Sequence, residues 1–328
     1  MAKSLWQLLT NQVNYINNIS IEKNLNYLEL IDALRNGFCK PPIVPSRLHY
    51  SIDNPAKHNE NTLLIMSAWN PGQQIGIKIV TVAPENKSYN LESINGLYLL
   101  MNAVTGIPQA ILDAKPITNW RTACASALAS QYLSRPDSST LLLIGTGTLA
   151  TYLIKAHCSV RPIKKVLIWG RNSSKAENIK DQLKDSNLNI EVINKIKDGI
   201  TQADIVCCAT LSETPLIFGN DLKEGQHLDL IGAYKPNMRE VDDNTILSGD
   251  IYVDNIEMAP KETGDLCIPI SQGTISLEDI KGDLFDLCSN KIDGRTSEKS
   301  ITIFKSVGHA LEDLIAANLV VNNIKKHE

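Results

Sequence analysis

The chain has 328 residues, a formal net charge of −4, and 43% apolar residues against 21% charged ones. That length allows two domains and a core that needs no disulfide or metal staple. The acidic balance, with lysine and arginine spread along the chain, argues against a nucleic-acid-binding surface, and no apolar run approaches the ~20 residues of a membrane span.

The first ten residues carry one lysine, Lys3, and no sustained apolar stretch, so no signal peptide is read there and a cytoplasmic location is expected. Leu25, Leu28, Ile31, Ala33 and Leu34 form a 3.6-period stripe, and residues 1–40 read as helical up to Gly37 and the Pro41-Pro42 break. β-like runs follow at 63–69, 75–82, 96–101 and 108–112, separated by Asn70-Pro71-Gly72, Pro84-Glu85-Asn86 and Thr105-Gly106. A meander of mostly antiparallel strands is predicted. Thr118 is placed to cap an Ala-rich helix through Arg121 to about Leu133, a hinge into the second half.

That half alternates apolar strands at 141–144, 166–169, 189–193, 204–209, 227–231 and 250–253 with helical or loop segments. The pattern predicts a doubly wound parallel sheet. A last helix is expected over 309–322, able to return to the first domain, and 291–299 is polar enough to be a mobile loop. The expected organisation is α/β: a smaller α+β domain of residues 1–117 with 304–328, and a Rossmann domain of residues 118–303.

The stretch Leu141-Leu-Leu-Ile-Gly145-Thr146-Gly147-Thr148-Leu149-Ala150 is a buried strand turning sharply into a helix. Gly145 permits the turn and Gly147 lets backbone approach a pyrophosphate. Ala150 keeps the close helix packing of a third glycine, and the helix start faces the phosphates. At the end of the second strand, where NAD-preferring domains place an acid for the ribose 2′-hydroxyl, this chain reads Gly170-Arg171-Asn172-Ser173. Arg171 can pair with a 2′-phosphate while Asn172 and Ser173 add donors, so NADPH is expected in preference to NADH.

The seven cysteines include no CxxC and no Cys/His pair at zinc spacing, and no HExxH occurs, so no metal site is predicted. The cysteines read as small buried hydrophobes. Arginine is scarce, eight residues in all, which makes its positions informative. Arg47 follows Pro45 at the start of the sheet domain, and Arg121 is read in the first turn of its helix, opposing the dipole. Lys78 lies inside the apolar run Ile75-Gly-Ile-Lys78-Ile-Val, where an ammonium needs an anionic partner.

Five segments in order, Arg121-Thr-Ala-Cys-Ala-Ser-Ala, the Ile144–Ala150 turn, Ile231-Gly-Ala-Tyr234-Lys-Pro-Asn-Met-Arg-Glu240, Val253-Asp254-Asn255 and Lys305-Ser-Val-Gly-His-Ala-Leu-Glu-Asp313, resemble the ornithine cyclodeaminase/mu-crystallin family over nearly the whole chain. The resemblance implies a homodimer. Its first domain, with the C-terminal helix, would bind substrate and join the subunits, and its Rossmann domain would hold a nicotinamide cofactor. It puts Arg47, Lys78 and Arg121 around the substrate carboxylate, with Val307 beside the substrate. The cofactor positions it implies are Ser93, Thr122, Gly145, Thr146, Gly147, Thr148, Leu149, Ala150, Thr210, Ile231, Gly232, Ala233 and Ser306.

Two positions depart from the cyclodeaminase pattern: the catalytic aspartate is replaced by Tyr234 and a later lysine by Met238. An aromatic residue in this segment resembles the members that reduce cyclic ketimines, above all those that convert Δ1-pyrroline-2-carboxylate to L-proline. Reducing a preformed C=N bond needs a carboxylate anchor, a hydride and one proton, and no carboxylate to strip protons from an amine. Tyr234 and Lys78 are the candidate catalytic residues, with Lys78 or water as acid. The expected substrate is therefore a small cyclic imino acid, with the six-membered Δ1-piperideine-2-carboxylate a second candidate. Ornithine cyclodeaminase or amino-acid dehydrogenase activity, and non-enzymatic small-molecule binding of the mu-crystallin type, are the alternative readings.

Overall fold

A computed structural model describes residues 13–54 and 60–327, so the expectations for residues 1–12 lie outside the described residues. The chain divides into two compact units: Met1–Asn26, Pro41–Thr118 and Ala310–Glu328 form the first, Tyr27–Lys40 and Asn119–His309 the second.

The first unit is built on six strands, β1 (Asn14–Ile16), β2 (Leu48–Ile52), β3 (Asn61–Trp69), β4 (Gln74–Val82), β5 (Ile94–Asn102) and β6 (Pro108–Asp113), in the order β1-β6-β5-β4-β3-β2. The pairs are antiparallel except β1 with β6. The predicted meander is thus present, with β1 and β2 added. Strand β1 has three residues, too few to mark a strand in sequence, and β2, Leu48-His-Tyr-Ser-Ile52, alternates apolar and polar residues but is exposed throughout. Cross-strand register puts Met66, Lys78, Tyr98 and Leu112 on one face, all buried, and the helix Ala310–His327 packs on β3, β4 and β5.

In the second unit eight strands are all parallel: β7 (Thr140–Ile144), β8 (Lys165–Trp169), β9 (Asn189–Val192), β10 (Ile205–Cys208), β11 (His227–Leu230), β12 (Asp250–Val253), β13 (Ile280–Asp283) and β14 (Thr302–Lys305). Their order is β13-β12-β14-β11-β10-β7-β8-β9. The chain winds outward from β7 to β9 and then returns to β10 on the other side of β7, which makes the β7/β10 junction the topological switch point. Leu142, Ile144, Leu167, Val206, Leu228, Val253 and Ile303 form a continuous core on one face, and Leu141, Leu143, Val166, Ile168, Ile205 and Cys207, also buried, line the other, as expected of a sheet buried on both faces.

Several expectations need correction here. Residues 302–305 were expected at or beyond the end of the nucleotide domain, yet β14 lies between β11 and β12, fully buried. Its four residues follow a long polar segment and end in a charge, which hides the strand. Likewise Tyr27–Cys39 belongs to the second unit, where its buried stripe of Leu30, Ile31, Leu34 and Phe38 packs on the helices Leu284–Cys288 and Ala150–Val160. The segment 291–299 is anchored, because the Arg295 guanidinium donates to the carbonyls of Leu133 and Gln226 at 2.7 and 2.9 Å. Of the cysteines, Cys124, Cys207, Cys208 and Cys288 are buried and Cys158 and Cys267 half-buried. Cys39, on the last residue of its helix, is exposed, its thiol directed at the Cys288 carbonyl.

A buried polar cluster braces two helices to this sheet. Asp229 Oδ1 on β11 accepts from Ser126 Oγ at 3.0 Å, and its Oδ2 accepts from Cys207 Sγ at 3.2 Å and lies 3.0 Å from His157 Nε2. Burial alone would push the Asp229 carboxyl up, but the bond and charge of His157 outweigh it and hold the group below its ordinary value. Burial pushes His227 down to about 3, so the ring is neutral where it meets Thr302 Oγ1 at 3.0 Å. The ligand atoms of His157, Cys207 and Asp229 lie within 4.8 Å of one another, a spacing that could hold a cation, but here they bond to each other.

Candidate active site

Because all eight strands of the second unit run the same way, the segments after them share one edge of the sheet. Gly145 to Ala150 follow β7, Arg171 to Ser173 follow β8, Thr210 follows β10, Ile231 to Ala233 follow β11, and Ser306 and Val307 follow β14. This is the edge where ligands of open α/β sheets bind. Gly145 has φ +123°, and a Cβ there would stand 2.4 Å from the Ala209 carbonyl, so the turn at the switch point requires glycine. Beyond it the helix Ala150–Val160 has no side-chain cap and no acidic residue in its first turn. Such an open helix start suits a phosphate. The next helix, Ser173–Gln182, differs: the Asn172 side chain caps it by accepting from Lys175 N–H at 3.4 Å. Arg171, Asn172 and Ser173 are exposed.

Two buried carboxylates that sequence reasoning left without a role organise this edge. Glu240 Oε1 accepts from the Thr210 N–H and hydroxyl at 2.8 and 2.9 Å, and Oε2 from the N–H groups of Gly232 and Ala233 at 2.8 and 3.1 Å. Lys305 Nζ lies 3.7 Å from Glu240 and 3.0 Å from Asp265, all three fully buried. Burial would lower the Lys305 ammonium, but the Asp265 and Glu240 charges hold it above its ordinary value; burial pushes Glu240 up against the opposing pull of Lys305. Asp254, directly after β12, accepts from Ser306 Oγ at 2.9 Å and from the N–H groups of Val307 and Gly308 at 2.7 and 2.6 Å.

That loop meets Arg121. Gly308 has φ +81°, and a Cβ on it would lie 2.5 and 2.9 Å from the two terminal nitrogens of the Arg121 guanidinium. Arg121 is therefore seated against the segment that carries Val307. Its helix, however, runs Ala114–Leu133 and starts at Ala114, with Pro116 in the first turn, where no N–H bond is lost. Thr118 thus lies inside the helix instead of capping it, and Arg121 lies two turns in, so the opposition to the dipole falls away. Thr122 follows it, buried.

In the first unit, Lys78 finds the anionic partner its setting demands: Asp313, on the C-terminal helix, at 2.7 Å, both nearly fully buried. Thr118 Oγ1 lies 3.5 Å from the ammonium. Tyr98, beside Lys78 on β5, is buried, and burial followed by the Asp313 charge pushes its phenol well above the ordinary value. Arg47 stands half-buried just before β2, and Ser93 just before β5, its backbone carbonyl accepting from Ala83 N–H at 2.7 Å. Tyr234, in the second unit, is 38% exposed on the segment after β11, with Lys235 Nζ 5.7 Å from its ring centre.

A doubly wound parallel sheet whose switch point carries a glycine turn and an uncapped helix is the dinucleotide-binding architecture of Rossmann proteins. Within it, the chain belongs to the ornithine cyclodeaminase/mu-crystallin family, whose model matches residues 11–328. A Δ1-pyrroline-2-carboxylate reductase of Colwellia psychrerythraea is 38% identical over 310 residues, 93% of this chain and 97% of that protein. The structure of the Thermococcus litoralis Δ1-pyrroline-2-carboxylate reductase, solved with NADH and L-proline, matches with a TM-score of 0.90 at 30% identity, covering 96% of this chain and 98% of that one. An archaeal alanine dehydrogenase dimer with bound NAD matches with a TM-score of 0.88 at 26% identity, covering 96% and 97%. Among the described residues no helix is long and apolar enough to cross a membrane.

Proposed function

We propose that this protein reduces Δ1-pyrroline-2-carboxylate to L-proline with a reduced nicotinamide dinucleotide. The observation that carries the reading is full-length likeness to the Thermococcus reductase solved with NADH and L-proline, together with Tyr234 at the position where cyclodeaminases hold an aspartate. The bound dinucleotide supplies the hydride. Arg121, fixed against Gly308, binds the imine's carboxylate together with Arg47 and Lys78, and so decides which face of the ring is presented. The Lys78 ammonium, held by Asp313 at 2.7 Å, is the group that can give the ring nitrogen its proton. Tyr234 packs beside the ring and transfers no proton to it.

The test is turnover by the purified chain with Δ1-pyrroline-2-carboxylate, Δ1-piperideine-2-carboxylate, ornithine and alanine. Imine reduction is expected, for the five-membered ring and to some degree the six-membered one. Tyr234→Phe should keep most of it, within about threefold, since no bond to the hydroxyl is required. Ammonia release from ornithine by the unmodified enzyme would restore the cyclodeaminase reading.

The exposed Arg171 and the lack of any carboxylate in the 170–173 segment support NADPH as the preferred cofactor, with NADH also used. Arg171→Ala is expected to raise KM for NADPH roughly tenfold, the worth of one charge-assisted phosphate bond, and to leave KM for NADH nearly unchanged. Equal effects on both cofactors would show that Arg171 does not read the phosphate.

The sheet face opposite the C-terminal helix supports a homodimer. By register Leu48, Tyr50, Leu63, Ile65, Ile77, Ile79, Leu97 and Leu99 share that face, and Leu48, Tyr50, Ile79 and Leu97 are 43–48% exposed. A contiguous apolar face of this kind marks an interface, and a second copy of the chain is the partner suggested by the dimeric alanine dehydrogenase. Sedimentation should give twice the chain mass, and Ile79→Asp should shift it to the monomer. A wild-type monomer at micromolar concentration would remove the proposal.

A further inference from the structure

The reduction as proposed gives no task to the buried Glu240–Lys305–Asp265 cluster, although Glu240 touches three of the residues assigned to the cofactor. We infer that Glu240 is a positioning residue for the nicotinamide end of the dinucleotide: it clamps the segments after β10 and β11 and silences their N–H groups. The inference rests on the dinucleotide site proposed above.

The donor count carries it. Four donors, from Thr210, Gly232 and Ala233, converge on two oxygens, and a carboxylate is the side chain that offers two acceptor oxygens and no donor. Asp265 Oδ1 in turn accepts the N–H groups of Glu240 and Val241 at 2.7 and 3.2 Å, which fixes the backbone from which the clamp projects. With those N–H groups engaged, the half-buried Thr210 and Gly232 meet a ligand through carbonyl and van der Waals surface, while Ala233 is fully buried and serves the clamp alone. That surface suits an uncharged ring and ribose, and not a phosphate. At the neighbouring strand end the opposite holds, where the uncapped start of the helix Ala150–Val160 leaves N–H groups for an anion. One edge of one sheet is thereby divided into a phosphate half and a ring half, and Glu240 draws the division.

Charge adds a second consequence. Two carboxylates stand against one ammonium, a net negative charge held in a dry setting close to the ring half. Such a charge favours a ring that becomes cationic on giving up hydride. Glutamine at 240 removes that charge and turns an NH2 group toward one of the two donor pairs. Aspartate is one methylene too short to reach both.

The experiment measures binding of three probes to the purified full-length chain and its Glu240→Gln variant: 2′,5′-ADP, NADPH and NADP+. For Glu240→Gln, 2′,5′-ADP affinity is expected within about twofold of wild type, with NADP+ weakened roughly tenfold and NADPH less. Single-turnover hydride transfer should slow on the order of a hundredfold, as expected for a misplaced reacting carbon. Thr210→Val, which removes one donor and keeps the fold's shape, should reproduce the pattern more weakly, and it stands in if Glu240→Gln does not fold. Unchanged NADPH and NADP+ binding in these variants overturns the clamp. So does an equal loss of 2′,5′-ADP and NADP+, which would make Glu240 a support for the whole domain. A wild-type chain that binds no dinucleotide overturns the cofactor reading itself, an outcome separate from a wild type that binds and a variant that does not differ.

Discussion

Replacing Lys305 by methionine should destabilise the folded chain by about 3–5 kcal/mol, the range for breaking a buried ion cluster by removal of one partner. Lys305, Glu240 and Asp265 are all fully buried, with the ammonium 3.0 and 3.7 Å from the two carboxylates. Methionine has about the right volume, so the loss is electrostatic: two carboxylates are left facing each other without their counter-charge. One of them must then gain a proton. Glu240 is already pushed up by burial, and without Lys305 it would rise further above its unfolded value. A carboxyl whose folded pKa is raised binds its proton more readily in the folded state, so stability falls as pH rises. The deficit of Lys305→Met relative to wild type should therefore narrow as pH is lowered from 8 toward about 5, a sign opposite to ordinary acid denaturation. Urea unfolding across that range measures it. Adding Asp265→Asn to Lys305→Met should recover part of the loss by removing one of the two repelling groups. A deficit below about 1 kcal/mol, independent of pH, would mean that the cluster is screened like a surface pair.

The elements that sequence makes visible are those whose burial is one-sided or complete over five or more residues. Strands β3, β4 and β5 are nine-residue segments rich in apolar residues, bounded by turn signals, and β7 and β8 are continuous apolar runs because both faces are covered. Strand β14 is hidden for a physical reason. Thr302 and Lys305 are polar residues kept inside by partners that sequence does not display: Thr302 Oγ1 bonds the Leu133 carbonyl 169 residues away, and Lys305 meets Asp265 and Glu240. The same holds for the Ala114–Leu133 helix. Its extra first turn holds Pro116, a residue that breaks a helix interior but is tolerated in a first turn.

The site divides in a similar way. The glycine turn, Arg171, Arg121 and Lys78 are legible because each breaks a local pattern: a glycine after an apolar strand, a scarce arginine, an ammonium in an apolar run. Glu240, Asp254 and Asp313 break nothing locally, and their meaning lies in distant partners. Asp254 serves N–H groups 53 and 54 residues on, and Asp313 serves a lysine more than two hundred residues earlier. The signal that could have found them is placement. Asp254 follows a buried strand directly, and Glu240 and Asp313 close two of the five segments that carry the family resemblance. An acid at the carboxyl end of a buried parallel strand has no solvent to face, so it needs donors, and the loops of that edge are the nearest supply.

Arg121→Ala should lower kcat/KM for the imine ten- to a hundredfold, the equivalent of roughly 1.5–3 kcal/mol for a lost charge-assisted pair. Arg121 is 7% exposed, and its guanidinium lies against Gly308 in the loop that Asp254 holds by three bonds. Its position is therefore set before any substrate arrives, and a preorganised planar fork is the group best matched to a carboxylate. Alanine removes the anchor, so KM should rise. Because the anchor also fixes which face of the ring is presented, kcat should fall with it. Arg121→Lys should restore only part of the activity, since an ammonium is a point charge and the two-pronged geometry is lost. Gly308→Ala offers a check that leaves the arginine in place. Its Cβ would come within 2.5 and 2.9 Å of the guanidinium nitrogens, and its φ of +81° is unfavourable for alanine, so the fork must move. That variant should raise KM for the imine and leave 2′,5′-ADP binding unchanged, because the phosphate half of the edge lies after β7 and β8. Wild-type kinetics in Arg121→Ala would remove Arg121 from the carboxylate site, and wild-type kinetics in Gly308→Ala would show that the fork's position does not matter.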